Sequence, residues 1–503
     1  MKWLKDEKFY LLVMLLLILL IAVRTPLDSD MWWHLRAGKT TWQQKGVLQR
    51  DIFSYTRYGE DWVNHSWLSQ LVMYGLYALG KFPALSLWVG LTAMAAMYFL
   101  YLQTEGALFI RISSVFLSAF VSSVVWSPRP QLFSILMFAL TGWVLFRYRQ
   151  GQRNSLIYLL PIFLIWSNLH GGYVLGVILI LTQIAGLLLN QLTAEEHQIM
   201  QGREDLKRLS AWFAGCLLVV LINPNGISMW RIPFQTVGVE TLQDYIAEWA
   251  SPDFHQPVQQ VFLILLFGSY SAAAFSRRRL EGRDLISVAV FGISALVARR
   301  NFGPFALAAA PVLSRHLNDI YQDFRQIWTR KSYRLKRFFE FQQQSERSLP
   351  SLLRIILNSG VVFLLLIGTG IKWLNVSGQH FMERVTPQYF PVQAVSWIEK
   401  NPPQGRMFNS YNWGGYLIWR LTDSPVFVAG RTDLFGEPVI EDWLSVIQVE
   451  AGWEQVIDKW QINWVLIEPD QPLAEVLACS GWDRIYQDGT AAIYLRNSQN
   501  DER

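Results

Sequence analysis

The chain has 503 residues, of which 52% are hydrophobic and only 17% charged. So little polar surface excludes an ordinary soluble enzyme and predicts an α-helical polytopic membrane protein. The formal net charge of +5 is modest, and the basic residues cluster in short loops, which is the positive-inside pattern of membrane proteins; no nucleic acid is expected as a partner.

The first apolar run covers 9–23 and follows several lysines, with no small-residue cleavage site after it. We therefore predict an uncleaved signal anchor whose N-terminus is cytoplasmic. The run leads directly into TPLDSDMWWHLRAG, residues 25–38. Exposed connectors are usually filled with small polar residues, so this combination of carboxylates, tryptophans, a histidine and an arginine indicates a functional site at the membrane surface.

A large first external loop, 24–83, follows the anchor. Its apolar segment 67–80 is about 14 residues long and falls short of the ~20 that a perpendicular span needs, so we expect it to lie at the membrane interface. Together with the anchor, later apolar segments predict about eleven transmembrane helices within 1–375. The later spans are expected at 84–102, 107–125, 131–147, 155–168, 173–190, 209–223, 258–275, 284–297, 302–314 and 354–372.

The basic loops allow the orientation of these spans to be checked. If loops 147–153, 201–208, 277–283 and 315–347 are all cytoplasmic, the loops between them are all external. The external loops then carry every unusual polar motif of the chain. These motifs are WSPRPQ (126–131), NLHGGY (168–173), NPNG (223–226), EWASPDF (248–254) and ARRNF (298–302).

From about 376 the composition becomes that of a globular protein, which predicts a small α/β extracytoplasmic domain at 376–503. Its segments predict a strand, helix, strand and helix, with a hairpin at Asp488-Gly489. The densest polar and glycine-rich pattern covers 409–415 and 430–433. This domain would bind acceptor, donor or a partner protein, although helix capping and tight turns explain the glycines equally well.

Three carboxylates are candidates for chemistry. Asp28 and Asp30 are two residues apart, so in an extended or turn conformation they point to the same side. One would act as general base, while the other orients the acceptor or holds a divalent cation, Mg²⁺ or Mn²⁺. The alternative is that one aspartate caps the following helix and the other is solvated. Glu248 is either a further catalytic or metal-binding carboxylate or a helix-end residue.

The external arginines suit an anionic ligand. Arg129 lies between two prolines, and Arg299 and Arg300 lie between two apolar segments. Guanidinium groups at this depth favour a lipid-linked phosphate, with lipid headgroup anchoring as the alternative.

Histidines and tryptophans complete the candidate site. His170 is followed by two glycines that would allow close approach of a ligand, and His34 and His65 would join it as phosphate donors or metal ligands. No metal-ligand spacing connects them, so a structural hydrogen-bonding role is the alternative. Trp32 and Trp33 are either interfacial anchors or platforms on which a sugar stacks.

These motifs resemble the GT-C superfamily of integral-membrane glycosyltransferases. Members place an acidic D-x-D motif in the first external loop, and Asp28-Ser29-Asp30 has that position and spacing; segment 67–80 resembles their interfacial helix. TPLDSDMWWHLRAG, SPRPQ, NLHGGY and NWGGYLIW also resemble poorly characterised bacterial proteins related to the dolichyl-phosphate-mannose-type transferases.

The resemblance implies transfer of a sugar from a polyprenyl-phosphate donor to a hydroxyl of a glycan, lipid or protein on the outer side of the bacterial inner membrane, with inversion. Asp28 or Asp30 would take the acceptor proton, and Asp28 is favoured because it lies nearer the helix end. Arg129, Arg299, Arg300 and His170 would stabilise the departing phosphate. Membrane lipids are the remaining expected partners.

Three rival functions remain open on the sequence. A polymerase or ligase acting on a lipid-pyrophosphate-linked glycan would depend on the arginines and His170 and survive loss of either aspartate. A flippase needs polar residues along a path through the bilayer, and a non-catalytic factor of envelope glycan assembly would use the C-terminal domain as its main surface.

Overall fold

The protein is described by a computed structural model covering residues 7–192, 196–237, 248–331 and 350–497. Within these ranges the chain is mostly helical, with one small sheet near the C-terminus, as predicted. The membrane-domain helices are α1 Glu7–Ala22, α2 Met31–Gln44, α3 Trp67–Tyr101, α4 Leu108–Ser122, α5 Gln131–Arg149, α6 Leu159–Leu169, α7 Tyr173–Gln191, α8 Glu196–Val219, α9 Ile232–Val237, α10 Pro257–Phe275, α11 Gly282–Val297, α12 Phe302–Lys331 and α13 Ser351–Ser377.

Each of the predicted spans overlaps one of these helices, although the span at 209–223 extends beyond the end of α8 at Val219. Six helices of the described ranges are long and apolar enough to cross a membrane by length and composition. They are α3, α4 with the short 3₁₀ turn that follows it, α5, α7, α10 and α13. The chain is a multi-pass membrane protein, while the count of about eleven crossings and the orientation of the termini stay predictions. Part of the predicted cytoplasmic connection 315–347 lies outside the described residues.

Helix α3 is interrupted where the sequence predicts the interfacial segment to end. Gly80 and Lys81 both leave helical geometry, and Lys81 has a φ of 51°. The first part of α3 packs along α2 so closely that a Cβ on Gly38 would lie 2.1 Å from the Gln70 carbonyl oxygen. Glycine is needed here because a larger residue would separate the two helices. This contact fixes α2 and the residues before it against the membrane domain.

The C-terminal part contains a four-stranded sheet. Its strands are β1 Arg406–Asn409, β2 Ile462–Ile467, β3 Trp482–Gln487 and β4 Ala492–Arg496, in the order β1-β2-β4-β3. β1 and β2 are parallel, whereas β4 is antiparallel to both of its neighbours. The predicted hairpin joins β3 to β4, and Asp488 accepts the amide hydrogens of Thr490 and Ala491 at 2.7 and 2.8 Å.

Short helices accompany the sheet, and they are more numerous than the sequence predicts. They are α14 Gln379–Val385, α15 Val392–Lys400, α16 Gly414–Arg420, α17 Thr432–Ile447, α18 Trp453–Lys459 and α19 Pro472–Cys479. The boundary at 376 stays a prediction, although α13 ends at Ser377.

The C-terminal part docks directly on the loop between α2 and α3. Val426 donates its amide hydrogen to the Phe53 carbonyl, and Tyr55 donates to the Val426 carbonyl, each at 3.1 Å. Thr56 and Arg57 add side-chain bonds to the carbonyls of Phe427 and Phe435. The loop between α2 and α3 therefore holds the C-terminal part against the end of the membrane domain where Asp28 lies.

Candidate active site

The acidic motif forms a tight turn between α1 and α2. Asp28 accepts the amide hydrogen of Asp30 at 2.9 Å, and short polar side chains favour turns by bonding the backbone in this way. Asp30 occupies the N-cap position of α2 but makes no capping bond with its side chain. Instead its carboxylate accepts Trp33 Nε1–H at 3.2 Å. The helix-capping alternative therefore does not describe these aspartates.

Arg129 lies at the centre of the acidic residues. Its Nε donates to Asp28 Oδ1, and its Nη1 lies 3.1 Å from Asp30 Oδ2 and 2.7 Å from Glu248 Oε1. The arginine is positioned by the turn between α4 and α5, where the prolines of SPRPQ restrict the backbone. Three motifs far apart in the chain thus meet at one guanidinium group.

The motifs EWASPDF and ARRNF are tied together by their backbones. Arg300 donates its amide hydrogen to the Glu248 carbonyl at 3.1 Å, and Arg299 donates to the Ala250 carbonyl at 3.2 Å. The Arg300 guanidinium lies 4.1 Å from the centroid of the Trp249 ring, a distance typical of a cation–π contact. Burial lowers the pKa of Arg300, and Arg129 lowers it further, whereas Glu248 opposes the shift.

His170 is held in one orientation by its own glycine-rich turn. Its Nδ1 accepts the Gly172 amide hydrogen at 3.0 Å and lies 2.8 Å from Ser134 Oγ. Since Nδ1 is an acceptor, the proton of the neutral ring is on Nε2. The absence of a side chain at Gly172 makes room for this contact, because a Cβ there would lie 2.7 Å from His170 Nδ1. Burial, with smaller effects of His65 and Arg300, holds the pKa of His170 well below its usual range.

His65 faces both His170 and the C-terminal part. Its ring centroid lies 5.8 Å from that of His170, and its Nδ1 lies 3.7 Å from Asp433 Oδ2. His34 is buried beside this group, with its Nδ1 3.5 Å from Gln70 Nε2. Burial, followed by the nearby His65, Arg129 and His170, lowers the pKa of His34.

The two predicted sugar-stacking tryptophans are packed against protein side chains. Trp32 is 3% exposed and lies in an aromatic cluster with Phe82, Phe390 and Tyr416. Trp33 is 5% exposed and donates to Asp30. Trp32 is therefore set apart from the charged cluster, whereas Trp33 orients one of its carboxylates.

The C-terminal part forms one wall of the site, which agrees with one of the alternatives that the sequence left open, a role in binding acceptor or donor. A Cβ on Gly430 would lie 1.7 Å from Asp30 Oδ1, so any larger residue would have to displace the carboxylate or the loop. Tyr411 is close enough to the cluster that Asp30 and Glu248 contribute to raising its pKa, although burial is the largest cause. The only sequence signal for this wall is the polar, glycine-rich pattern at 409–415 and 430–433.

Burial and neighbouring charges shift the pKa values of Asp30 and Arg129. Burial raises the pKa of Asp30 to about 6; Arg129 opposes this shift, whereas Asp28 and Glu248 reinforce it. Burial alone would lower the pKa of Arg129, but the three carboxylates around it outweigh burial and raise the pKa. The site thus contains a permanently charged arginine and a carboxyl group that titrates near neutrality.

Comparisons with known proteins place this geometry in a known fold. No family model matches the chain, and no curated protein matches its sequence. Two crystal structures of the Archaeoglobus fulgidus oligosaccharyltransferase are similar in structure. The one tethered to an acceptor peptide containing the NVT sequon has a TM-score of 0.56 at 12% identity, covering 93% of this chain and 70% of that chain. The complex with Zn and sulfate has a TM-score of 0.53 at 13% identity, covering 91% of this chain and 68% of that chain.

ArnT from Cupriavidus metallidurans, bound to undecaprenyl phosphate, has a TM-score of 0.50 at 10% identity, covering 97% of this chain and 98% of that chain. All of these are GT-C membrane glycosyltransferases. This chain has the GT-C fold. At such low identity the likeness concerns the fold, and it confirms the GT-C architecture that the sequence motifs indicate. In this GT-C fold the acidic turn, the arginines and His170 lie at one end of the helices.

Proposed function

We propose that the protein is a membrane glycosyltransferase that moves a sugar from a polyprenyl-phosphate donor to an acceptor hydroxyl on the extracytoplasmic face of the bacterial inner membrane. The observation that carries the proposal is the convergence of Asp28, Asp30 and Glu248 with Arg129 and Arg300 at one end of a GT-C fold. Carboxylates that can take the proton of a hydroxyl thus lie beside cations that can bind a phosphate.

The reaction is a single displacement at the anomeric carbon. The acceptor oxygen forms a bond to that carbon while the bond to the phosphate oxygen breaks, and the electron pair leaves with the phosphate. The acceptor proton passes to a carboxylate. Because a phosphate leaves as a stable anion, a general acid is less necessary than in glycoside hydrolysis, and one direct displacement inverts the anomeric centre.

We assign the base to Asp30 in preference to Asp28. Asp28 accepts hydrogen bonds from both the Asp30 amide and Arg129, and its side chain is only 8% exposed. The Asp30 side chain is 20% exposed, and its pKa is raised to about 6. A base works best when its pKa is close to the working pH and its oxygen can be reached by the acceptor. Asp28 then orients Arg129 and the turn.

The donor phosphate is assigned to Arg300 and His170. Arg300 contacts the Trp249 ring and lies near Glu248, while His170 carries its proton on Nε2 because Nδ1 is an acceptor. A guanidinium and a neutral N–H donor suit a phosphate that gains charge as it departs. Arg129 serves the carboxylates, since all three of them contact it. The acceptor is a glycan, lipid or protein hydroxyl that reaches Asp30.

The proposal is tested with purified protein in lipid nanodiscs and a panel of radiolabelled undecaprenyl-phosphate sugars. Wild-type protein is expected to release undecaprenyl phosphate and label an acceptor in extracts of envelope glycans. Asp30→Asn should lower the rate by about 10²–10⁴-fold, the usual contribution of a positioned base. Asp423→Asn, at an exposed position in the C-terminal part, is the matched control.

Wild-type rates of sugar transfer by both Asp28→Asn and Asp30→Asn would contradict the proposal. If these variants stay active while Arg300→Ala and His170→Ala do not, the result would instead support a polymerase or ligase that uses a lipid-pyrophosphate donor.

A further inference from the structure

Arg129 lies among the three carboxylates that a divalent cation in this site would need as ligands. A D-x-D motif suggests such an ion, and one of the similar structures contains Zn. A cation needs several oxygens at about 2.0–2.6 Å, all directed at one point. Here the oxygens of Asp30 and Glu248 converge on Arg129 Nη1, at 3.1 and 2.7 Å, while Asp28 is held by Nε of the same group.

The remaining donors do not form a second centre. Asp30 Oδ1 is bonded to Trp33 Nε1–H, and His170 Nδ1 is bonded to the Gly172 amide. In residues 7–192, 196–237, 248–331 and 350–497, no three His, Cys, Asp or Glu side chains come together in a way that would hold a metal ion. The carboxylates of this site therefore fit a guanidinium and do not fit Mg²⁺ or Mn²⁺.

We propose that the site works without a divalent cation, because Arg129 supplies the positive charge that holds Asp28, Asp30 and Glu248 in their working positions. A guanidinium is suited to this role because it carries five fixed N–H donors and stays protonated. A cation added beside it would be repelled by a charge only a few ångströms away in a buried setting. The inference deepens the proposed function, on which its activity measurement rests.

The inference predicts what happens when the guanidinium is removed. Arg129→Ala removes the guanidinium that separates these three carboxylates, so their oxygens are free to move together around a hard cation. Carboxylates left without a positive partner between them repel one another, so the variant is expected to take up Mn²⁺. Arg129→Lys keeps a positive charge at this position and should not bind the ion.

The experiment measures Mn²⁺ binding by electron paramagnetic resonance of the full chain in nanodiscs after treatment with a chelator. Wild-type protein, Arg129→Lys and the control Arg420→Ala, which removes a half-buried arginine paired with Glu399, should show no bound Mn²⁺ up to about 1 mM, the weak limit of protein oxygen sites. Arg129→Ala should bind one ion, and Arg129→Ala with Glu248→Gln should bind it at least tenfold more weakly. Wild-type transfer should persist in chelator.

Stoichiometric Mn²⁺ binding by wild-type protein, lost in Glu248→Gln, would overturn the inference. A tenfold loss of wild-type transfer in chelator, restored by Mn²⁺, would overturn it as well. If Arg129→Ala does not fold, the wild-type titration decides the question alone. Because that titration needs no sugar donor, failure of the proposed transfer reaction is distinguishable from failure of this inference.

Discussion

Gly430 lies directly against Asp30: a Cβ at position 430 would be 1.7 Å from the carboxylate oxygen Oδ1. The two residues belong to opposite ends of the chain, and the contact makes the C-terminal part a wall of the site. The loop that carries Gly430 is fixed by the next residue, Arg431, whose buried guanidinium is bonded to Asp51 in the loop between α2 and α3.

Gly430→Ala is expected to reduce transfer by about 10²-fold, because a misplacement of about 1 Å in a reacting group has an effect of this size. The added methyl group would push Asp30 away from Arg129 or displace the loop. Transfer rates in nanodiscs check this prediction. Gly489→Ala, where a Cβ meets no atom within 4 Å, is the matched control and should retain wild-type activity. Equal rates for the two variants would contradict the role of the contact.

The rate of transfer should fall at acidic pH. The pKa of Asp30 is raised to about 6, chiefly by burial, and a base must be ionised to accept a proton. The turnover rate is therefore expected to fall about tenfold for each pH unit below the pKa. Asp30→Asn should abolish this limb of the profile along with most of the activity.

A neighbouring charge provides a second measurement of the same pKa. Glu248 raises the pKa of Asp30, so Glu248→Gln should move the acidic limb of the pH profile to lower pH. Glu475→Gln, at an exposed position, should leave the limb unchanged. A limb at the same pH in all three proteins would show that Asp30 is not the titrating group.

His170→Ala should weaken binding of undecaprenyl phosphate. A hydrogen bond to a charged group contributes about 1.5–3 kcal/mol, which corresponds to about 10–150-fold in affinity. His170→Gln keeps an N–H donor and should recover part of the affinity. His380→Ala, which removes a fully exposed ring, should have no effect. Binding is measured by native mass spectrometry of the full chain, and unchanged affinity in His170→Ala would exclude the assigned contact.

The buried ion pair between Asp51 and Arg431 should dominate the attachment of the C-terminal part. Both side chains are fully buried, and Phe53, Trp62 and Phe435 surround the guanidinium at 5.3–5.4 Å. Arg431→Met leaves Asp51 buried without its partner and should cost about 3–5 kcal/mol of stability.

Thermal unfolding in detergent checks this prediction. The double variant Asp51→Asn with Arg431→Met removes both charges and should recover part of the loss. Glu399→Ala breaks the more exposed pair with Arg420 and should cost less than about 1 kcal/mol. A loss of similar size in Arg431→Met and Glu399→Ala would mean that the buried pair does not hold the two parts together.

The sequence by itself determined the membrane-spanning character, the position of nearly every long helix and the identity of most charged residues in the site. Hydrophobic run length is a local property, because a helix satisfies its own backbone in the membrane. Alternation of basic loops then assigns polar motifs to one face, which is why Asp28, Arg129, His170, Glu248 and Arg300 were found together.

Only the tertiary structure decided which of these residues contact one another. Whether Arg129 meets phosphate or carboxylate depends on distances between segments far apart in the chain, and no local pattern contains them. Trp32 and Trp33 are next to each other in sequence, yet one packs in an aromatic cluster and the other donates to Asp30. The contact between Gly430 and Asp30 likewise could not be predicted from the sequence. A glycine permits close packing, but the sequence does not show which residue packs against it.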